Sequence, residues 1–268
     1  MQLLSCHAGK LLKVDSADLG GGATAGGGAI STGLEALDDL LPNGALARGA
    51  LHEILWDAPH PRPLFFAACL AHASAPRGTG YQPVSSTKNK NNKHGLVAHA
   101  TRVVWCDPRR ELYPPALASA GIALDQLLLL RPKTAEDEIW ALAECLACRG
   151  VAATIAQPPP LSRVQVRRLQ LAAERGGGVG LLLRPHDATA THHAAATRWL
   201  VQPARGERTV QRWRIQLIHG HGGRLHESVY LEYSRDPHQP QALRVRAVSQ
   251  LADRAAATKA TSTRRATA

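Results

Sequence analysis

From Ala50 onward the chain alternates short apolar runs with segments whose apolar residues recur at helical spacing, and this alternation limits the fold more than any other feature. The runs LHEILW, RVVWC, LLLLRP, VAATIAQ and VGLLLRP alternate with LFFAACLAHA, LYPPALASAGI, TAEDEIWALAECLACRG and LSRVQVRRLQLAAERGGG. Strands separated by helices cannot pair as hairpins. They connect by right-handed crossovers into a mainly parallel sheet covered on both faces. Thr134, with Glu136, Asp137 and Glu138 following it, suits the start of a helix. Further on, RWLVQPA, QRWRIQLIHGHGG and SVYLEYS read as antiparallel edge strands with hairpins. Period two in QRWRIQL puts Trp213, Ile215 and Leu217 on one face, so Trp213 is a core residue although arginines surround it. The expected class is α/β: a mainly parallel sheet flanked by helices, with antiparallel C-terminal edge strands.

Ahead of this core, ISTGLEALDDLLPNG predicts a short amphipathic helix closed by a turn, and residues 20–29, GGGATAGGGA, predict a linker. Residues 77–101 are polar, with an Asn/Lys-rich middle, and read as a low-complexity insertion. The expected organisation is an N-terminal segment and Gly-rich linker at 1–29, one domain at 30–245 and a basic tail at 246–268. A formal charge of +11 favours partners that carry phosphate or acidic surfaces, although the polar insertion and the tail supply part of it. No apolar run reaches the roughly 20 residues of a membrane span, and no secretory signal is apparent, so a cytoplasmic protein with reduced thiols is expected. Cys145 and Cys148 form a CxxC, but i, i+3 spacing is one helix face and no second pair completes a zinc site.

The stretch LHEILWDAPHPRPLFFAACLAHA has the layout of a phosphate-binding loop: buried strand, turn, apolar helix. Its turn, Asp57, Ala58, Pro59, His60, Pro61, Arg62, Pro63 and Leu64, lacks glycine, lysine and Ser/Thr. A phosphate cradle needs backbone amides, a lysine and a hydroxyl for magnesium. Three prolines remove amides outright and fix φ where glycine freedom is required.

In order and spacing these pieces resemble the core of the RecA recombinase family. ISTGLEALDDLLPNGALARGALHEIL is similar to that family's lead into its first core strand, through Ser31, Thr32, Gly33, Leu37, Asp38, Gly44, Arg48 and Gly49. RVVWCDPRRELYPPALASAGIALDQLLLLRP continues the likeness at Asp107, Leu112, Pro114, Ala118, Gly121, Asp125 and Leu127. The similarity covers roughly residues 30–218, interrupted by the insertion. The phrases LYPPALASAGI, RRLQLAAERGG and LLLRP, with the glycine-poor turn, further resemble the ImuA family of translesion-synthesis accessory proteins.

The RecA resemblance implies two carboxylates that this chain lacks. Where a strand-end carboxylate would hold the metal, Gln157 stands before three prolines; where a glutamate would activate water, two residues after Asp107, Arg109 stands. Glu111 reaches that role only if the register slips. The resemblance therefore implies no catalytic residues, no cofactor and no metal. It implies a non-catalytic adaptor or regulator in SOS-induced translesion synthesis, with an ImuB-like polymerase relative, an error-prone replicative-type polymerase and RecA recombinase as partners. A DNA-binding module, an atypical NTPase and a cell-division inhibitor of the same degenerate class are the alternatives.

Arg163, Arg167, Arg168 and Arg175 fall on one helix as candidate DNA or partner contacts, with Leu161, Val164, Leu169 and Ala172 as its buried side. His186, Asp187, His192, His193, His219 and His221 are ligand types without a rigid spacing, and are expected to be solvated loop residues.

Overall fold

The computed structural model describes residues 2–4, 28–75, 102–186, 195–206, 210–235 and 243–248. The expected insertion and most of the expected linker and tail lie outside them. Strand β1 (Gln2–Leu4) is followed by a ribbon of β2 (Ala29–Ile30) and β3 (Leu46–Ala47), which brackets α1 (Glu35–Asp38) and a 3-10 turn, Pro42–Gly44. Next come β4 (Ala50–Trp56), α2 (Leu64–Ser74), β5 (Arg102–Cys106), α3 (Pro114–Ser119), β6 (Leu127–Leu130), α4 (Ala135–Ala147), β7 (Val151–Ala156), α5 (Arg163–Gly176) and β8 (Val179–Pro185). Four strands close the chain: β9 (Thr197–Ala204), β10 (Gln211–Gly220), β11 (Ser228–Arg235) and β12 (Leu243–Val248).

The sheet runs β1-β6-β5-β7-β8-β4-β9-β10-β11-β12. Every pair from β1 to β9 is parallel and every pair from β9 to β12 antiparallel. RWLVQPA is therefore not wholly an antiparallel edge strand: β9 lies parallel to β4, Ile54 opposite Trp199, and only its other edge is antiparallel. Its first five residues are buried, which fits a strand enclosed on both faces. The sheet also takes in Gln2–Leu4 from the segment set apart at the N-terminus, and β12 runs to Val248, past the boundary expected at 245.

Two apolar layers sandwich the parallel half. Phe66, Leu70 and Leu117 pack with Ile54, Trp105, Leu129 and Trp199 on one face. Leu142, Leu146, Val166 and Leu169, from α4 and α5, pack with Leu51, Val104 and Leu182 on the other. Thr134 caps α4 by accepting from the Asp137 amide, and Ser162 and Gln165 form a reciprocal capping box on α5. Helix α5 ends at Gly177, φ 76°, and a β-carbon on its last residue, Gly176, would collide with the Leu146 carbonyl oxygen. That glycine lets the end of α5 lie directly on the end of α4. Trp213, Ile215 and Leu217 all face the core, with the Phe65 ring 5.0 Å from Trp213 and 4.9 Å from Tyr233. Among the described residues no helix is long and apolar enough to cross a membrane.

The charged groups Glu53, Arg184 and Arg198 inside this core are paired, whereas Thr154 Oγ1, Trp199 Nε1 and Trp213 Nε1 are buried without a hydrogen-bond partner among the described residues. Glu53, 1% exposed on β4, accepts from Arg184 Nη1 at 2.9 Å and Arg198 Nε at 2.7 Å, both buried. Beside it His52, fully buried, meets the Ala47 carbonyl through Nε2 at 2.9 Å and the Thr197 hydroxyl through Nδ1 at 2.7 Å. A carbonyl only accepts, so Nε2 carries the proton and Nδ1 accepts from Thr197. Burial pulls the imidazole pKa down to about 4, keeping the ring neutral. A glutamate placed between arginines recurs across β10, β11 and β12, where Glu232 accepts from Arg212 and Arg246.

Candidate functional site

In a parallel α/β sheet the ligand crevice lies beyond the carboxyl ends of the strands, and here the turn from Asp57 to Leu64 meets the ends of β5 and β7. The turn spends its amides on itself. His60 N donates to Asp57 O at 2.9 Å and Leu64 N to Arg62 O at 2.9 Å, while Pro59, Pro61 and Pro63 have none to give. The Ala58–Pro59 peptide is cis, and α2 starts after Pro63 without a side-chain cap. Asp57 points toward the neighbouring strands, accepting from Gln202 of β9 and contacting His186 Nδ1 at 2.9 Å.

Arg62 reaches from the turn across the ends of the strands. Its Nη1 donates to Gln157 Oε1 at 2.9 Å and its Nη2 meets Glu111 Oε2 at 2.6 Å. One side chain thus ties the turn to the end of β7 and to the loop after β5. The hollow left among Arg62, Trp105, Asp107, Glu111 and Gln157 holds about 40 Å³. That is room for two or three waters, against the roughly 300 Å³ and more of a small-molecule site.

The carboxylates near this hollow are committed to holding the loop. Asp107, 7% exposed, accepts from the amides of Glu111 at 2.9 Å and Leu112 at 3.3 Å, with Arg131 3.9 Å away. Glu111 does reach the site, but as the partner of Arg62. Arg109 is exposed on the same loop. Cys106, at the end of β5, donates to Glu138 Oε1 at 3.7 Å; burial raises the pKa of both groups, which disfavours the thiolate.

The chain is 28% identical over 244 residues to "Protein ImuA" of Caulobacter vibrioides (strain NA1000 / CB15N), spanning 84% of this chain and 90% of that one. The similarity to ImuA extends over nearly the whole of both chains. The structure is similar to that of the RadB recombinase, with a TM-score of 0.54 over 80% of this chain and 98% of that chain. At 13% identity the likeness is one of fold, and the fold is RecA-like. A shorter similarity, 27% identity over 96 residues, links 36% of this chain to 54% of the "Cell division inhibitor SulA" of Photorhabdus laumondii. No protein-family model matches.

The chain carries its four helical arginines as a surface. Arg163, Arg167, Arg168 and Arg175 border a broad depression on the outside of α5. Leu161, Leu169 and Ala172 are buried as expected, but Val164 is 78% exposed and Val166 takes the buried position. Two residues along a helix is about 200° of rotation, so seating Val166, Leu169 and Ala173 against α4 turns Val164 outward. Of the histidines, His186 contacts Asp57, and His219 stacks edge-on to His221 at 5.4 Å. Asp187, His192 and His193 lie outside the described residues, and among those described no cluster could hold a metal.

Sequence reasoning missed the Glu53 triad and the arginine tie. A lone acid inside the apolar run LHEILW was a readable signal, since an unpaired charge cannot stay in such a strand. The tie had none, because Arg62, Glu111 and Gln157 are far apart in sequence and only the crossover order brings them together.

Proposed function

We propose that this chain is a non-catalytic RecA-like accessory protein of the DNA-damage response, an adaptor or regulator in translesion synthesis. One observation supports the non-catalytic part: Arg62, bound to Gln157 and Glu111, spans the ends of the strands and leaves a hollow of only about 40 Å³. The homology to ImuA supports the translesion-associated role. The proposed partners are an ImuB-like polymerase relative, an error-prone replicative-type polymerase and RecA recombinase, met in the cytoplasm. A fold that keeps its core and edges after losing its catalytic groups still offers shaped surfaces.

The test is nucleotide binding. At about 1 mM Mg-ATP a ligand of useful affinity raises Tm through mass action, and the expected result is an unchanged Tm and no phosphate release. A rise of several degrees, or turnover abolished by Asp107→Ala, would refute the reading. The alignment with SulA favours a second reading, inhibition of cell division. Recovery of division proteins in place of polymerase components by affinity capture from damaged cells would select it.

A further inference from the structure

Helix α5 is amphipathic toward the core and carries a second pattern on its outside. Val164, Arg168, Leu171 and Arg175 recur at intervals of four, three and four residues, a single stripe opposite the buried Val166, Leu169 and Ala173. Val164 is 78% and Leu171 41% exposed, so two of the four large apolar side chains exposed among the described residues belong to this stripe. Arg163 and Arg167 flank it, and the end of α4 adds Glu144, Ala147 and then Arg149 to the same depression. Five arginines face two glutamates there, and one of those, Glu174, already accepts from Gln170 at 3.1 Å.

We infer that this stripe and the groove beside it are the docking site for a partner protein's acidic amphipathic helix, with its aliphatic side chains on Val164 and Leu171 and its carboxylates on the arginines. Three features select this occupant over nucleic acid. A phosphate track has no use for aliphatic side chains between its cations, whereas a helix in a groove is held by apolar anchors at i, i+3 and i+4. None of the lining residues is aromatic, so unpaired bases find no platform to stack on. All five cations are arginine, whose planar fork matches a carboxylate bidentately. The surface is also preorganised: α5 is capped at both ends and fixed on α4 through Gly176. The inference deepens the accessory reading by naming the chemistry of a partner and where it binds.

The experiment uses the full chain and fluorescence anisotropy of a labelled helical peptide of glutamates and leucines. Its controls are the same peptide with serine for leucine and a single-stranded oligonucleotide of equal charge. The glutamate/leucine peptide is expected to bind at least about tenfold more tightly than either control, the tenfold step corresponding to about 1.4 kcal/mol. V164S/L171S should erase that preference, and R168E/R175E should abolish binding; all four residues are at the surface, and an unchanged Tm checks the fold. Equal binding of the serine peptide, indifference to V164S/L171S, or an oligonucleotide that binds best and is lost with R168E/R175E would each overturn the inference. None of these outcomes bears on Mg-ATP binding, so this proposal and the non-catalytic reading fail separately.

Discussion

Replacing Glu53 by glutamine removes one charge and almost no volume, and should be among the most damaging single changes the chain can suffer. Glu53 lies between Arg184 and Arg198, both of which are held in the sheet at less than a tenth exposed. An amide can accept from one guanidinium but balances neither charge. Removing one partner from a buried ion cluster costs about 3–5 kcal/mol. For a domain of this size each kcal/mol moves Tm by about 2–4 °C, so Glu53→Gln should melt roughly 6–20 °C lower. Urea unfolding followed by tryptophan fluorescence measures the loss, and it has an internal control. In the triple variant Glu53→Leu, Arg184→Met, Arg198→Met all three charges are removed together, and such replacements are often neutral or stabilising. The triple variant should therefore be markedly more stable than Glu53→Gln. A loss below about 1 kcal/mol for Glu53→Gln would show that the guanidiniums reach water. A triple variant as unstable as the single one would refute the charge argument, because shape and hydrogen bonding would then explain the damage.

Two further outcomes follow from the packing. His52 has its pKa lowered to about 4 in the folded chain from 6.5, so its contribution is present above pH 6.5 and is lost as pH falls from there toward 4. The loss should reach about 3 kcal/mol across that window, and His52→Asn should flatten the urea-derived stability curve between about pH 7 and pH 4.5 relative to the parent; parallel curves would refute it. Gly176→Ala forces a methyl onto the Leu146 carbonyl, and overpacking of this kind costs about 1–3 kcal/mol. Thermal unfolding should show the loss, and an unchanged Tm would mean that α4 and α5 can slide apart freely.

The alternation of strands and helices was legible because each apolar run is closed by proline, glycine or a capping residue, as Thr134 and Ser162 show. The direction of β9 was not, since RWLVQPA reads the same whether its neighbour runs with it or against it; burial on both faces distinguishes the two, and burial is a property of the assembled sheet. The phase of α5 was misjudged at Val164 because apolar residues at both 164 and 166 left two faces available, and contact with α4 chose between them. At the candidate site, the absent glycine and lysine could be read directly. What replaced them could not, because the geometry of Arg62 depends on where three separate strand ends converge.

Strand β4 is among the earliest strands in the chain, yet its hydrogen-bonded neighbours, β8 and β9, are among the late ones, and Glu53 is separated from Arg198 by 145 positions. A ribosome adding about 5–20 residues per second needs roughly 7–30 s to deliver that distance. For that interval an apolar strand with an unneutralised carboxylate emerges with both edges open. Nascent chains stalled before β8 should therefore depend on chaperones, and release from them should coincide with the emergence of Arg184 and Arg198.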